Sequence, residues 1–156
     1  GDFNNPYVFS KGGGTDQRGW DMTINDAGTS KFQFRTAPGC NDNQGVVSNT
    51  SVVKGAIEHW VGIFRPGVSW ELYRNGVLDA IRTTGVGTTQ CNNSQNARIS
   101  DRGEVCDGCN FKGIVYKISW WGSALRADIP EIIYKAGAGG ENGRQGEGGP
   151  GFRAQF

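Results

Sequence analysis

The chain has 156 residues, 36% of them hydrophobic, with 26 glycines and 16 basic against 15 acidic side chains. That length allows one domain with its own core. The near-even charge balance excludes an electrostatic grip on nucleic acid or anionic lipid, and no apolar run approaches the length of a membrane span. The opening at Gly1 rather than Met is what a processed or excised chain would show.

In chain order the sequence reads as strands separated by turns. "PYVFS" is a strand and "KGGGTDQRG" a loop. "WDMTIND" sets Trp20, Met22 and Ile24 against Asp21, Thr23 and Asn25, the alternation of a half-buried strand. "KFQFRT" follows, ended by Pro38-Gly39 and the loop "APGCNDNQG". "GVVSNTSVV" is a strand interrupted by polar residues, and "HWVGIFR" is apolar enough for a central strand. In "SWELYRNGVLDAI", Trp70 and Leu72 share one face while Glu71 and Tyr73 share the other. Asn75-Gly76 suits the two positive-φ centres of a type I′ turn, so residues 69–74 and 77–82 are expected to form a hairpin. After a long loop, "ARIS" is a short strand. "FKGIVYKISWW", residues 111–121, is expected to be the longest strand.

One helix is expected near the end. Asp128 precedes "IPEIIYKA" with Glu131 three residues on, a capping-box arrangement that tolerates Pro130 in the first turn. Lys135 suits the C-terminal dipole, and Gly137 can take the left-handed stop. Of the fifteen residues 137–151, eight are glycine, too few side chains for a core. From Gly140 glycine recurs every third position, a short collagen-like period with one proline. The sequence closes on "FRAQF", which alternates as a strand does. Strand-turn-strand throughout predicts an all-β antiparallel sandwich, with one short C-terminal helix and a Gly-rich tail.

Cys40, Cys91, Cys106 and Cys109 read as disulfide cysteines in an oxidising compartment. Four cysteines allow three pairings, of which Cys106–Cys109 with Cys40–Cys91 is preferred. A zinc site on "CDGC" lacks a second pair at ribbon spacing, and His59 is the sole histidine. Sequons at Asn49 and Asn92 also point outside the cell.

The ordered motifs "HWVGIFRPGVSWELYRNGVLDAI", "ARISDRG" and "FKGIVYKISWWGSALRADIPEIIYKAG" resemble the laminin-G-like branch of the concanavalin A-like jelly rolls. The resemblance covers roughly residues 7–137 and implies a jelly-roll module over 1–137, a linker over 138–151 and a terminal strand over 152–156. Family members carry a further strand before the "FSKGG" segment, pairing near the last strand. The sandwich is thus expected to lack its first strand, leaving unpaired backbone and an apolar groove. Phe152, Ala154 and Phe156 would supply that strand, to the same chain or to a neighbour, with Phe3 the other anchor. Donation head to tail does not close on itself and builds filaments.

Glycan hydrolases of the wider superfamily need a carboxylate pair, and none of the six glutamates begins one. Glu71 reads as an exposed hairpin side chain, and His59 matches the family's structural histidine at the strand start. The chain is therefore expected to be non-enzymatic, with no cofactor. The resemblance also implies glycan or glycoprotein binding, in some members through Ca²⁺ on loop acids such as Asp16, Asp26, Asp42, Asp101 and Asp107. Trp120 and Trp121, adjacent and hence on opposite faces of a strand, are candidate glycan or subunit contacts. The expectation is an extracellular or cell-surface structural subunit that self-associates. Glycan binding is the alternative, and neither nucleic acid nor membrane insertion is expected.

Overall fold

The computed structural model describes residues 6–13, 17–25, 29–38, 44–100 and 109–138. The strands are β1 (Tyr7–Gly13), β2 (Gln17–Asn25), β3 (Lys31–Thr36), β4 (Gln44–Ser51), β5 (Trp60–Arg65), β6 (Ser69–Arg74), β7 (Val77–Arg82) and β8 (Ala97–Ile99). The helix α1 spans Ile129–Ala138, one residue beyond the expected stop at Gly137. The strands form two antiparallel sheets, ordered β4-β3-β2-β1-β8 and β5-β6-β7. This is the expected all-β jelly-roll sandwich with a short C-terminal helix.

Alternation builds the core. In β3, Phe32, Phe34 and Thr36 are buried while Lys31, Gln33 and Arg35 are half-buried. Met22 and Ile24 lie opposite Phe34 and Phe32 and share that inner face. From the second sheet Trp70, Leu72 and Ala80 meet Phe32, Phe34 and Val46. Phe32 stacks on Trp60 with centroids 4.7 Å apart, and Trp70 stacks on Phe64 at 5.5 Å. The Trp70 indole donates to Thr36 Oγ1 across the sheets at 2.9 Å, which satisfies the one polar atom of a fully buried ring. A Cβ on Gly62 would stand 2.5 Å from the Phe34 ring, so the sheets close only because glycine is there.

The hairpin is as expected: Asn75 has φ 51° and Gly76 φ 82°, joining β6 to β7. The short strand β8 is also as expected, paired to β1 through Phe9, Ser10 and Lys11. The expected loop "KGGGTDQRG" is shorter than its composition implies. β1 runs on to Gly13 and β2 starts at Gln17, with a register shift between Lys11 and Gly12. At one sheet edge, the Asp79 side chain accepts from the Asn49 backbone N–H at 2.7 Å and from the Thr50 hydroxyl, fastening β7 to β4.

The main departure is residues 111–121. This run forms no ladder; the nearest pairing is a single parallel bridge between Tyr7 and Asn110. The Phe111 ring folds over Gly113, where a Cβ would meet it at 2.4 Å. An alternating sequence needs a neighbouring strand to satisfy its backbone, and among the described residues this run has none.

Candidate functional site

The unladdered run is nonetheless tied to the sandwich at both ends. At its start, Tyr7 N–H donates to the Cys109 carbonyl at 2.8 Å, and Ser100 Oγ donates to the Phe111 carbonyl at 2.8 Å. At its end, Trp120 stacks on Trp20 with centroids 4.2 Å apart, beside Phe9 on the inner face of β1 and β2. Between these ties the side chains stand out. Ile114 and Tyr116 are each 75% exposed, Trp120 53% and Trp121 42%. So Trp120 and Trp121 do not divide into one buried and one outward residue, as strict alternation required. Both are partly open, and Trp120 gives one ring face to Trp20. The strand β5 pairs only with β6 among the described residues.

The chain beyond Trp121 is pinned on the outer face of the β5-β6-β7 sheet. Leu125 packs on Val61, Ile63 and Tyr73. Arg65 Nη2 donates to the Leu125 carbonyl at 2.6 Å, while Arg65 Nε donates to Glu71 Oε1 at 2.7 Å. Ser69 Oγ and the Tyr73 hydroxyl also donate to the Glu71 carboxylate, at 2.8 and 3.0 Å. Glu71 is therefore not the exposed hairpin side chain that was expected: it is 7% exposed. Burial alone would push its carboxyl up, but the three donors outweigh burial and hold it below the ordinary carboxylate range. Burial, with the same hydrogen bond, pushes the Tyr73 phenol up to about 12. The central position expected for "HWVGIFR" is not what is found: among the described residues β5 is the edge strand of its sheet, and its second apolar face is covered by Leu125 and not by a neighbouring strand. Val61 and Ile63 bury the outer face, which carries Glu71 inward with it.

A second tie fixes α1. A Cβ on Gly76 would lie 2.9 Å from Glu131 Cα and 3.2 Å from Tyr134 Cβ, so the helix rests on the hairpin tip. His59, at the start of β5, faces the Tyr134 ring at 6.0 Å between centroids. Its backbone N–H donates to Asn75 Oδ1 at 2.9 Å, while its Nδ1 is buried without a hydrogen-bond partner. Burial and then the charge of Lys117 lower its pKa.

The other expected residues are spread over the molecule. Cys91 and Cys109 are buried and disulfide-bonded; Cys40 and Cys106 lie outside the described residues. Asn49 sits at the β4 edge, where its Nδ2 donates to the Asp79 carbonyl at 2.5 Å. Asn92 is exposed, and its Oδ1 accepts from Lys11 Nζ at 3.3 Å. Phe3, Phe152, Ala154 and Phe156 lie outside the described residues, as do Asp16, Asp26, Asp42, Asp101 and Asp107. Among the described residues no three acidic, histidine or cysteine side chains group to hold a metal ion, and no helix is long and apolar enough to cross a membrane.

Comparison with known proteins places this geometry. No curated protein matches the chain. Among solved structures it is similar to residues 221–444 of an S-layer domain-containing protein from Clostridium thermocellum ATCC 27405, at 13% identity and a TM-score of 0.39. That similarity covers 85% of this chain and 64% of the other, so this chain spans less than two thirds of that structure. Residues 2–129 match the laminin-G family profile described as concanavalin A-like lectin/glucanases superfamily. With two antiparallel sheets, a closing helix and a profile match over most of its length, the chain belongs to the concanavalin A-like lectin/glucanase superfamily as a laminin-G-like jelly-roll module.

Proposed function

We propose that this chain is a non-enzymatic, extracellular structural subunit that joins copies of itself through a terminal strand, residues 152–156. One observation carries the reading. The longest alternating run of the sequence, 111–121, is tied to the sandwich at both ends, has no ladder partner among the described residues, and holds Ile114 and Tyr116 largely exposed. Unpaired backbone beside exposed apolar side chains is a template for a further strand. "FRAQF" has the alternation such a strand needs, and a Gly-rich linker delivers it.

The disulfides at Cys91 and Cys109, with the two sequons, support an oxidising, extracellular setting. The non-enzymatic reading rests on how the buried glutamates are used. Glu71 anchors Arg65, and Glu58 accepts from Arg74 at 2.5 Å and from the Trp60 indole at 2.9 Å. Both carboxylates hold structure together.

Sedimentation with negative-stain imaging tests the reading, using the chain with and without residues 152–156. Filaments from the intact chain and none from the shortened one are expected. Equal, monodisperse monomers from both would sink it. A second reading, glycan binding, is favoured by the open faces of Tyr116 and Trp121. Its expected signature is glycan-array binding by the monomer, lost on chelation if Ca²⁺ assists.

A further inference from the structure

We infer that the acceptor for residues 152–156 is the segment 114–118 of a second copy, with Ala154 seated opposite Tyr116 and the two phenylalanines opposite Ile114 and Ile118. This rests on the strand-exchange reading above and names the surface it uses.

The first ground is exposure. Ile114 and Tyr116 are 75% exposed in the single chain, more than any other large hydrophobic residues of the described structure. Among the described residues nothing covers them. The second ground is size. Residues two apart share a face in a strand, so once paired as a strand 114, 116 and 118 would present Ile–Tyr–Ile, with Ile118 half-buried in the single chain, while 152, 154 and 156 would present Phe–Ala–Phe. Directly opposed side chains on paired strands stand about 5 Å apart. A small residue facing the largest, flanked by two bulky residues facing the intermediate ones, fills that space in either strand direction. The third ground is backbone. The run 111–121 has no ladder partner among the described residues, so a donated strand gains its main-chain bonds without displacing another. The last ground is reach. Thirteen residues, 139–151, separate α1 from the donor. As a free coil they span roughly 20 Å, against a radius of gyration of about 15 Å for a domain of this size.

Two double variants of the full chain test this. The donor variant carries Phe152→Asp and Phe156→Asp; the acceptor variant carries Ile114→Asp and Tyr116→Asp. The acceptor positions are solvent-exposed, so their substitution leaves the core intact, which circular dichroism and the thermal midpoint confirm. Each variant alone is expected to sediment as a monomer. An equimolar mixture is expected to stop at dimers, because one good donor then meets one good acceptor and nothing extends further. Amides 112–118 of the donor variant, whose acceptor is intact, should exchange at least roughly tenfold more slowly in that mixture than in the donor variant alone.

Filaments from the acceptor variant but not from the donor variant would overturn the assigned surface and leave strand exchange standing. Filaments from both, or a monomeric unsubstituted chain whose 112–118 protection is the same in the donor variant, would overturn both. A monomeric unsubstituted chain whose 112–118 protection vanishes in the donor variant would place the strand in its own chain and overturn the second copy.

Discussion

A single carboxylate shows how this fold spends its charge. Glu71 has two hydrogen-bonding neighbours on its own strand, Ser69 and Tyr73, and a third from Arg65 on the next. Removing one partner of a buried pair strands the other, so Glu71→Ala is expected to cost about 3 kcal/mol in denaturant unfolding. Glu71→Gln should cost less, because it can still accept from Ser69 and Tyr73. Because the folded carboxyl is held low, its contribution is complete above the ordinary carboxylate range and is lost as pH falls through the folded value. His59 acts in the same direction in a higher window. Its folded pKa lies below the ordinary value, so the unfolded chain takes up the proton first as pH falls. Stability is then full above about 6.5 and declines below it. The charges and rings facing it are Lys117, from the unladdered run, and Tyr134, from α1. With no other histidine in the chain, denaturant midpoints between about pH 7.5 and about pH 5.5 isolate this group. His59→Gln should flatten that slope; an unchanged slope would show that the histidine is not its source.

At the scale of elements, the hairpin was legible because two local rules agreed. Asn75-Gly76 demanded positive φ at both centres, and the flanking residues alternated in phase. The same turn then acquires a second role that sequence does not show, as the seat of α1. Gly76→Ala combines left-handed strain with a Cβ 2.9 Å from Glu131 Cα, and about 1–3 kcal/mol of lost stability is expected. Gly85→Ala is the control: its φ is +63°, but its nearest neighbour is the flexible end of Arg82 at 3.3 Å. Hydrogen exchange over 129–138 should rise in the first variant and not in the second. Equal effects would mean that strain alone, and not the helix contact, sets the cost. The run 111–121 was misjudged for the complementary reason. Its alternation matches a strand, yet a strand exists only where a neighbour supplies hydrogen bonds, and periodicity within one segment says nothing about that neighbour. Glu71 escaped notice similarly, since the alternation in β6 gave its face correctly but not what lies over that face.

For the whole molecule, the sandwich and the unladdered run have separate supports. The sandwich rests on the inter-sheet packing of Phe32, Phe34, Val46, Trp70, Leu72 and Ala80. The run begins just after disulfide-bonded Cys109, whose carbonyl accepts from Tyr7 N–H, while disulfide-bonded Cys91 donates its N–H to the Ala37 carbonyl at 3.1 Å. Losing a native disulfide typically costs about 2–5 kcal/mol, and the loss at Cys109 is expected to fall on the adjoining run before it reaches the core. Rising reductant should therefore abolish assembly while the buried Trp70 environment, followed by fluorescence, is still native. Sedimentation and fluorescence recorded across one reductant series decide the matter. Two separated transitions, assembly lost first, fit an acceptor held in place by covalent ties at the rim of an independent core. Coincident transitions would mean that core and rim unfold as one unit, and that the open run is an inseparable part of the sandwich.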